Sequence, residues 1–100
     1  MKIKINLIRK EFQIDNNVPV KATLTPLSIL QFLIDEPKQI FNAELISKKL
    51  GRYLSDGNLR TVLNRIRNLA KDYHIIETIS KKGICLGKNY QNDLSAEYKN

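Results

Sequence analysis

The sequence predicts an α+β fold in which an N-terminal antiparallel sheet, three helices and a C-terminal β-hairpin follow one another along the chain. Three observations predict it. Apolar and polar residues alternate from Ile3 towards Leu24, apolar residues recur at helical spacing in three stretches between Thr25 and Tyr73, and β-like runs return from Ile75 to Leu86. At 100 residues the chain makes one domain around one hydrophobic core, so a single functional site is expected.

The opening strands are read from Ile3-Lys4-Ile5-Asn6-Leu7, from Glu11-Phe12-Gln13-Ile14 and from the run between Val18 and Leu24, with Asn16-Asn17 as turn residues between the last two. This is a short antiparallel sheet with one wet face. Thr25 then offers an N-cap and Pro26 the first helical position, while Leu27, Leu30, Leu33 and Ile34 keep helical spacing until Pro37, which predicts a first helix over 26–35. A second helix is predicted over 43–50. Asn42 caps it, Leu45, Ile46 and Leu50 form its apolar face, and Gly51 supplies the left-handed residue on which helices commonly end.

The third helix, capped by Ser55 or Asp56 and spanning about 56–72, is the most informative stretch. Leu59, Val62, Leu63, Ile66, Leu69, Ala70 and Tyr73 fall in one helical stripe and are assigned to the core. The opposite face carries Thr61, Asn64, Asn68 and Lys71, flanked by Arg60 and Arg67 on one side and Arg65 on the other, and no acid occurs from Gly57 to Ala70. Most charged helix faces are merely solvated and of mixed sign; one with only cations and amides points to an anionic partner. The strands 75–79 and 84–86 are joined through Ser80-Lys81-Lys82-Gly83, a basic hairpin tip with a glycine available for positive φ. Residues 88–100 read as a polar, flexible tail on a domain over 1–87. Sheet, three helices and closing hairpin are the order of a winged helix, and that arrangement brings the third helix and the lysine-tipped wing, 79–86, to one side of the molecule.

Charge agrees with this reading. Lys and Arg number 17 against 10 Asp and Glu, for a formal net charge of +7 and a pI near 9.7, which favours nucleic acid or an acidic membrane surface. No apolar run reaches a membrane span, and the basic helix lacks the aromatic anchors of an interfacial one, so no membrane contact is expected. The single Cys85 forms no internal disulfide and fits a reducing cytoplasm as a half-buried strand residue. His74 has no Ser, Cys or acid arranged by motif to work with it and suits a helix-end role, and Asp35-Glu36 are ordinary helix-end carboxylates. The glycines form no phosphate-cradling loop, and the tyrosines form no stacking platform for single strands. Neither an enzyme nor a cofactor nor a metal site is expected.

From about Leu24 to Leu86 the chain resembles the C-terminal DNA-binding domain of OmpR/PhoB-type response regulators, a module shared by ToxR- and CadC-like regulators. The resemblance is carried by Leu24-Thr25-Pro26, by Ile40-Phe41-Asn42-Ala43-Glu44-Leu45, by Asn64-Arg65-Ile66-Arg67 and by the hairpin Ile76 to Leu86, in that order and spacing. It implies a four-stranded opening sheet, a recognition helix in the major groove of double-stranded DNA, a wing on the adjacent backbone or minor groove, and tandem binding of a second copy. Residue by residue, it implies that Thr61 and Arg65 read base edges while Asn64 and Arg67 contact backbone or neighbouring bases. Where the family's wing has Gly-Tyr-Arg this chain has Gly83-Ile84-Cys85, and Lys81-Lys82 stand at the tip, so this wing is expected to grip phosphates more than read bases.

By chemistry alone, Asn64 and Asn68 suit adenine, Arg65 guanine and the Thr61 methyl thymine, each pairing worth about 1–3 kcal/mol of discrimination. Arg60, Arg65, Arg67, Lys71, Lys81 and Lys82 provide for about six phosphates and a log affinity falling with log salt at a slope near roughly −5. The expected function is therefore sequence-specific duplex binding by a bacterial transcription regulator. The alternative is a winged-helix module that docks on RNA polymerase or another regulator through Tyr53, Leu54 and the 51–55 connection. Neither a receiver domain nor a transmembrane helix lies in this stretch, which leaves open an autonomous regulator or the DNA-binding part of a longer ToxR-like protein.

Overall fold

The computed structural model describes residues 1–91. Strands β1 (Ile3–Asn6), β2 (Glu11–Ile14) and β3 (Val20–Lys21) form an antiparallel sheet in that order, three strands where the resemblance implied four. Ile3 pairs with Ile14 and Ile5 with Phe12, which puts the apolar member of each alternation on the inner face, where Phe12 is fully buried.

Helices α1 (Leu24–Asp35), α2 (Ala43–Leu50) and α3 (Asp56–Ala70) follow, then a 3₁₀ turn over Tyr73–Ile75 and the hairpin β4 (Ile76–Ile79) and β5 (Gly83–Leu86). Leu27, Leu30 and Leu33 of α1, Ile46 of α2 and Ile66 of α3 meet Phe12, Phe41, Ile75 and Leu86 in one core, all of them buried. Each such side chain contributes about 1.5–3 kcal/mol of transfer free energy.

Helix α1 starts two residues before the expected position. β3 stops at Lys21, the extended Thr23 serves as N-cap, and Pro26 becomes the third helical residue, still within the first turn, where a missing N–H costs nothing. Helix α2 has the expected bounds. The Asn42 side chain accepts from the Leu45 N–H at 2.8 Å, and Gly51 closes the helix at φ 76°.

Helix α3 begins on Ser55, whose hydroxyl accepts from the Asn58 N–H at 3.1 Å, and ends at Ala70, short of the expected 72. Lys71 turns left-handed at φ 55°, and the Asp72 N–H reaches back to the Arg67 carbonyl at 3.2 Å, as in a Schellman closure. The stripe therefore stops one turn early, and Tyr73, assigned from its spacing to the core, is 64% exposed.

The hairpin is clipped to the α1–α2 connection by Phe41, whose N–H and carbonyl both bond Ile84 at 2.8 Å. That close approach leaves no room beside Gly83, at φ 139°, where a Cβ would stand 2.1 Å from the Phe41 carbonyl oxygen. The domain also continues past Gly87. Tyr90 is 1% exposed and its hydroxyl donates to Asp72 at 2.6 Å, while the Gln91 amide donates to the Leu86 carbonyl. A lone apolar ring in a polar stretch has no period to betray it. The rest of the expected tail, 92–100, lies outside the described residues.

Candidate nucleic-acid interface

The exposed ridge of α3 carries Arg60, Thr61, Asn64 and Asn68, with Lys71 exposed at its left-handed C-cap. The Thr61 hydroxyl donates to the Gly57 carbonyl at 3.2 Å, so its proton is committed to the helix and the methyl group and oxygen lone pairs are what it offers outward. The wing turn closes through the Lys82 N–H on the Ile79 carbonyl at 3.0 Å, with Lys81 at a left-handed φ of 63°. Arg60, Asn64, Tyr73, Lys81 and Lys82 line one open groove of about 590 Å³ between α3 and the hairpin. Two basic elements far apart in sequence thus form one surface.

Arg65 is exposed but on the other flank. It lines a separate groove of about 380 Å³ with Thr25, Arg52, Asn58 and Thr61, and shares none with Lys81 or Lys82. A turn of about 100° per residue puts Arg65 and Arg60 on opposite edges of the ridge centred on Asn64.

Arg67 lines the wing groove as well, but only at its base. Expected to meet DNA, it is 7% exposed and tied inward: Nε donates to the Tyr73 carbonyl at 2.9 Å, and Nη2 donates to the Ile76 carbonyl at 2.7 Å and the Thr78 hydroxyl at 3.2 Å. It lies on the same edge of α3 as Arg60, two turns further along, where the 3₁₀ turn and β4 cover the helix. The signal for this was its position one turn after the buried Leu63, on the margin of the apolar stripe. Tyr73, which faces the wing groove, was missed for the complementary reason that it was counted into the stripe.

Of the loop offered as a protein contact, Tyr53 is 81% exposed while Leu54 is buried. The Ser47 hydroxyl holds Leu54 at both ends, accepting from its N–H at 2.9 Å and donating to its carbonyl at 3.2 Å. Cys85 is buried rather than half-buried; burial, then the Glu77 charge, raises its thiol pKa, with Lys88 opposing. Burial first, then the hydrogen bond to Asp72, raises the Tyr90 phenol above its ordinary range. Among the described residues no cluster of His, Cys, Asp and Glu is placed to hold a metal ion, and no helix is long and apolar enough to cross a membrane.

No protein-family model and no curated protein matches the chain. Solved structures do. The DNA-binding domain of the response regulator AdeR, in complex with an intercistronic region, is 17% identical at a TM-score of 0.73, with 86% of this chain and 94% of that one covered. The Klebsiella pneumoniae RstA DNA-binding domain, in complex with the RstA box, is 18% identical at a TM-score of 0.69, covering 85% and 90%. The C-terminal domain of the nisin resistance regulator NsrR, a lantibiotic response regulator, is 22% identical at 0.66, covering 78% and 84%. The chain therefore has the winged-helix fold of OmpR/PhoB-type response-regulator DNA-binding domains, the fold that the resemblance in its sequence implied.

Proposed function

We propose that this chain binds double-stranded DNA as the DNA-binding domain of a bacterial transcription regulator, with α3 in the major groove and the wing on the adjacent backbone. The observation that carries this is the single groove shared by Arg60, Asn64, Lys81 and Lys82. An α-helix fills a major groove, and a basic hairpin beside it meets the phosphate ridge that borders that groove. AdeR and RstA, two of the similar structures, were solved on DNA. Such a function belongs to the cytoplasm.

In this reading Thr61, Asn64, Asn68 and Arg65 discriminate bases, while Arg60, Lys71, Lys81 and Lys82 hold phosphates. With Arg67 turned inward and Arg65 given to bases, these four phosphate contacts imply a salt slope near roughly −3.6. Selection of bound duplexes from a random pool, followed by binding at several salt concentrations, tests the reading. Enrichment of one motif is expected, and repeat spacing within it reports whether two copies dock in tandem. Absence of duplex binding at low salt would overturn the reading and favour docking on RNA polymerase through the exposed Tyr53.

A further inference from the structure

A second basic groove, on the side of α3 away from the wing, has no counterpart in the sequence reading. Arg9, Lys10, Lys21 and Arg65 line an open groove of about 480 Å³ between the N-terminal sheet and the flank of α3. Arg65 also lines the neighbouring groove with Arg52, so the two join into one basic band. The sheet's contribution is held in place by its own turn. Lys10 sits at a left-handed φ of 55°, its carbonyl accepts from the Ala22 N–H at 3.0 Å, the Arg9 N–H donates to the Asn6 side chain at 3.0 Å, and the Lys21 ammonium donates to the Arg9 carbonyl at 3.0 Å.

Among the described residues the ion pairs of this band are with Glu11. Glu11 lies 3.9 Å from Arg9 and 3.6 Å from Lys21, while Lys10 and Arg65 have no ion-pair partner among the described residues. Five cations against the one carboxylate paired with them leave a net local positive charge, because Glu11 can neutralise at most one of them.

A major groove about 12 Å wide is bordered by two phosphate ridges, and an α-helix about 10–12 Å across fills it, so elements on both flanks of the helix come to face a ridge. The wing occupies one flank of α3. We infer that the other flank, Arg52 and the sheet cations Lys10 and Arg9, whose two grooves meet at the base-reading Arg65, is the docking surface for the second phosphodiester strand of the same duplex. The inference rests on the proposed duplex binding. It makes the N-terminal sheet part of the DNA contact rather than only a wall of the core, and it makes the wild-type salt slope steeper than the recognition helix and wing alone supply.

The test is binding of wild type, Lys10→Gln, Arg9→Gln with Lys10→Gln, and the control Lys38→Gln to a mixed-sequence duplex of about 30 base pairs over a salt series. Lys10→Gln should flatten the log–log slope by roughly 0.9 and the double variant by up to about twice that, with a loss of about 5–30-fold near 0.1 M salt that is the same for selected and unselected duplexes. Lys38→Gln, whose exposed lysine lines neither groove, should leave the slope unchanged. If the wild type binds and Lys10→Gln keeps the wild-type slope, or if Lys38→Gln flattens it equally, the second-ridge contact is wrong while duplex binding stands. If the wild type shows no duplex affinity at low salt, both fail, and the band is left to an acidic protein segment.

Discussion

The guanidinium of Arg67 lies 4.3 Å from the centre of the Tyr73 ring, so an arginine of α3 is covered by an aromatic residue of the segment that leads into the wing. Together with its bonds to the Tyr73 and Ile76 carbonyls and the Thr78 hydroxyl, this stacking ties α3 to β4. This side chain and the Phe41–Ile84 clip both hold the wing against the helices.

Arg67→Met is expected to lower stability by about 2–4 kcal/mol, because the buried Ile76 carbonyl and the partly buried Tyr73 carbonyl lose these donors and the stacking on Tyr73 is lost. For a domain of this size that is a fall in melting temperature of roughly 10 °C or more. Measured well below the melting point, the salt slope for duplex binding should not change, since the Arg67 guanidinium is turned inward onto the Tyr73 and Ile76 carbonyls. A slope flattened by roughly 0.9 with an unchanged melting temperature would return Arg67 to the interface.

Lys81 holds a left-handed backbone at the wing tip, a conformation that costs a non-glycine residue about 1 kcal/mol. Lys81→Gly removes the strain and the charge together. Thermal unfolding should show a domain as stable as wild type or up to about 1 kcal/mol more stable, while the salt slope loses roughly 0.9. A more stable variant with an undiminished slope would mean that the tip lysine never reaches a phosphate.

The neighbouring functions of the wing groove separate cleanly. Lys82→Ala should weaken selected and unselected duplexes alike, whereas Asn64→Ala should cost about 1–3 kcal/mol on the selected duplex and almost nothing on an unrelated one. Competition binding with the two duplexes reads both effects. Equal losses for Asn64→Ala on both would show that it holds backbone instead of reading a base.

The core face of this fold was legible because it is periodic. The Leu27, Leu30, Leu33 spacing, the Asn42 cap and the Gly51 terminus each report local physics that the tertiary structure leaves in place. The site was legible only where a residue's fate depends on its own helix. Arg60, Asn64 and Asn68 stay on the exposed ridge as expected, but Arg67 is decided by the 3₁₀ turn and β4 that pass over it, and Arg65 by which flank the wing leaves free. The sheet cations facing Arg65 are more than forty residues away in sequence, and no helical period connects them to α3.

Tyr90 gives the domain a characteristic alkaline instability. Its phenol is held above its ordinary value near 10 by burial and by donation to Asp72, so the folded state keeps a proton that the unfolded chain loses first. Its contribution is complete below about pH 10 and is lost as pH rises through the folded value. Tyr90→Phe removes the bond to Asp72, which should cost about 1.5–3 kcal/mol near neutral pH, and removes this group's alkaline slope as well. Cys85, also raised, destabilises both proteins equally from about pH 8.5 upward and cancels in their difference. Urea unfolding of the pair from pH 7 to about 11.5 should show a constant stability gap up to about pH 10 that narrows above it by up to about 1.4 kcal/mol per pH unit. A gap that stays constant to the top of the range would show that Tyr90 ionises alike in the folded and unfolded chains and that the Asp72 contact does not hold its proton.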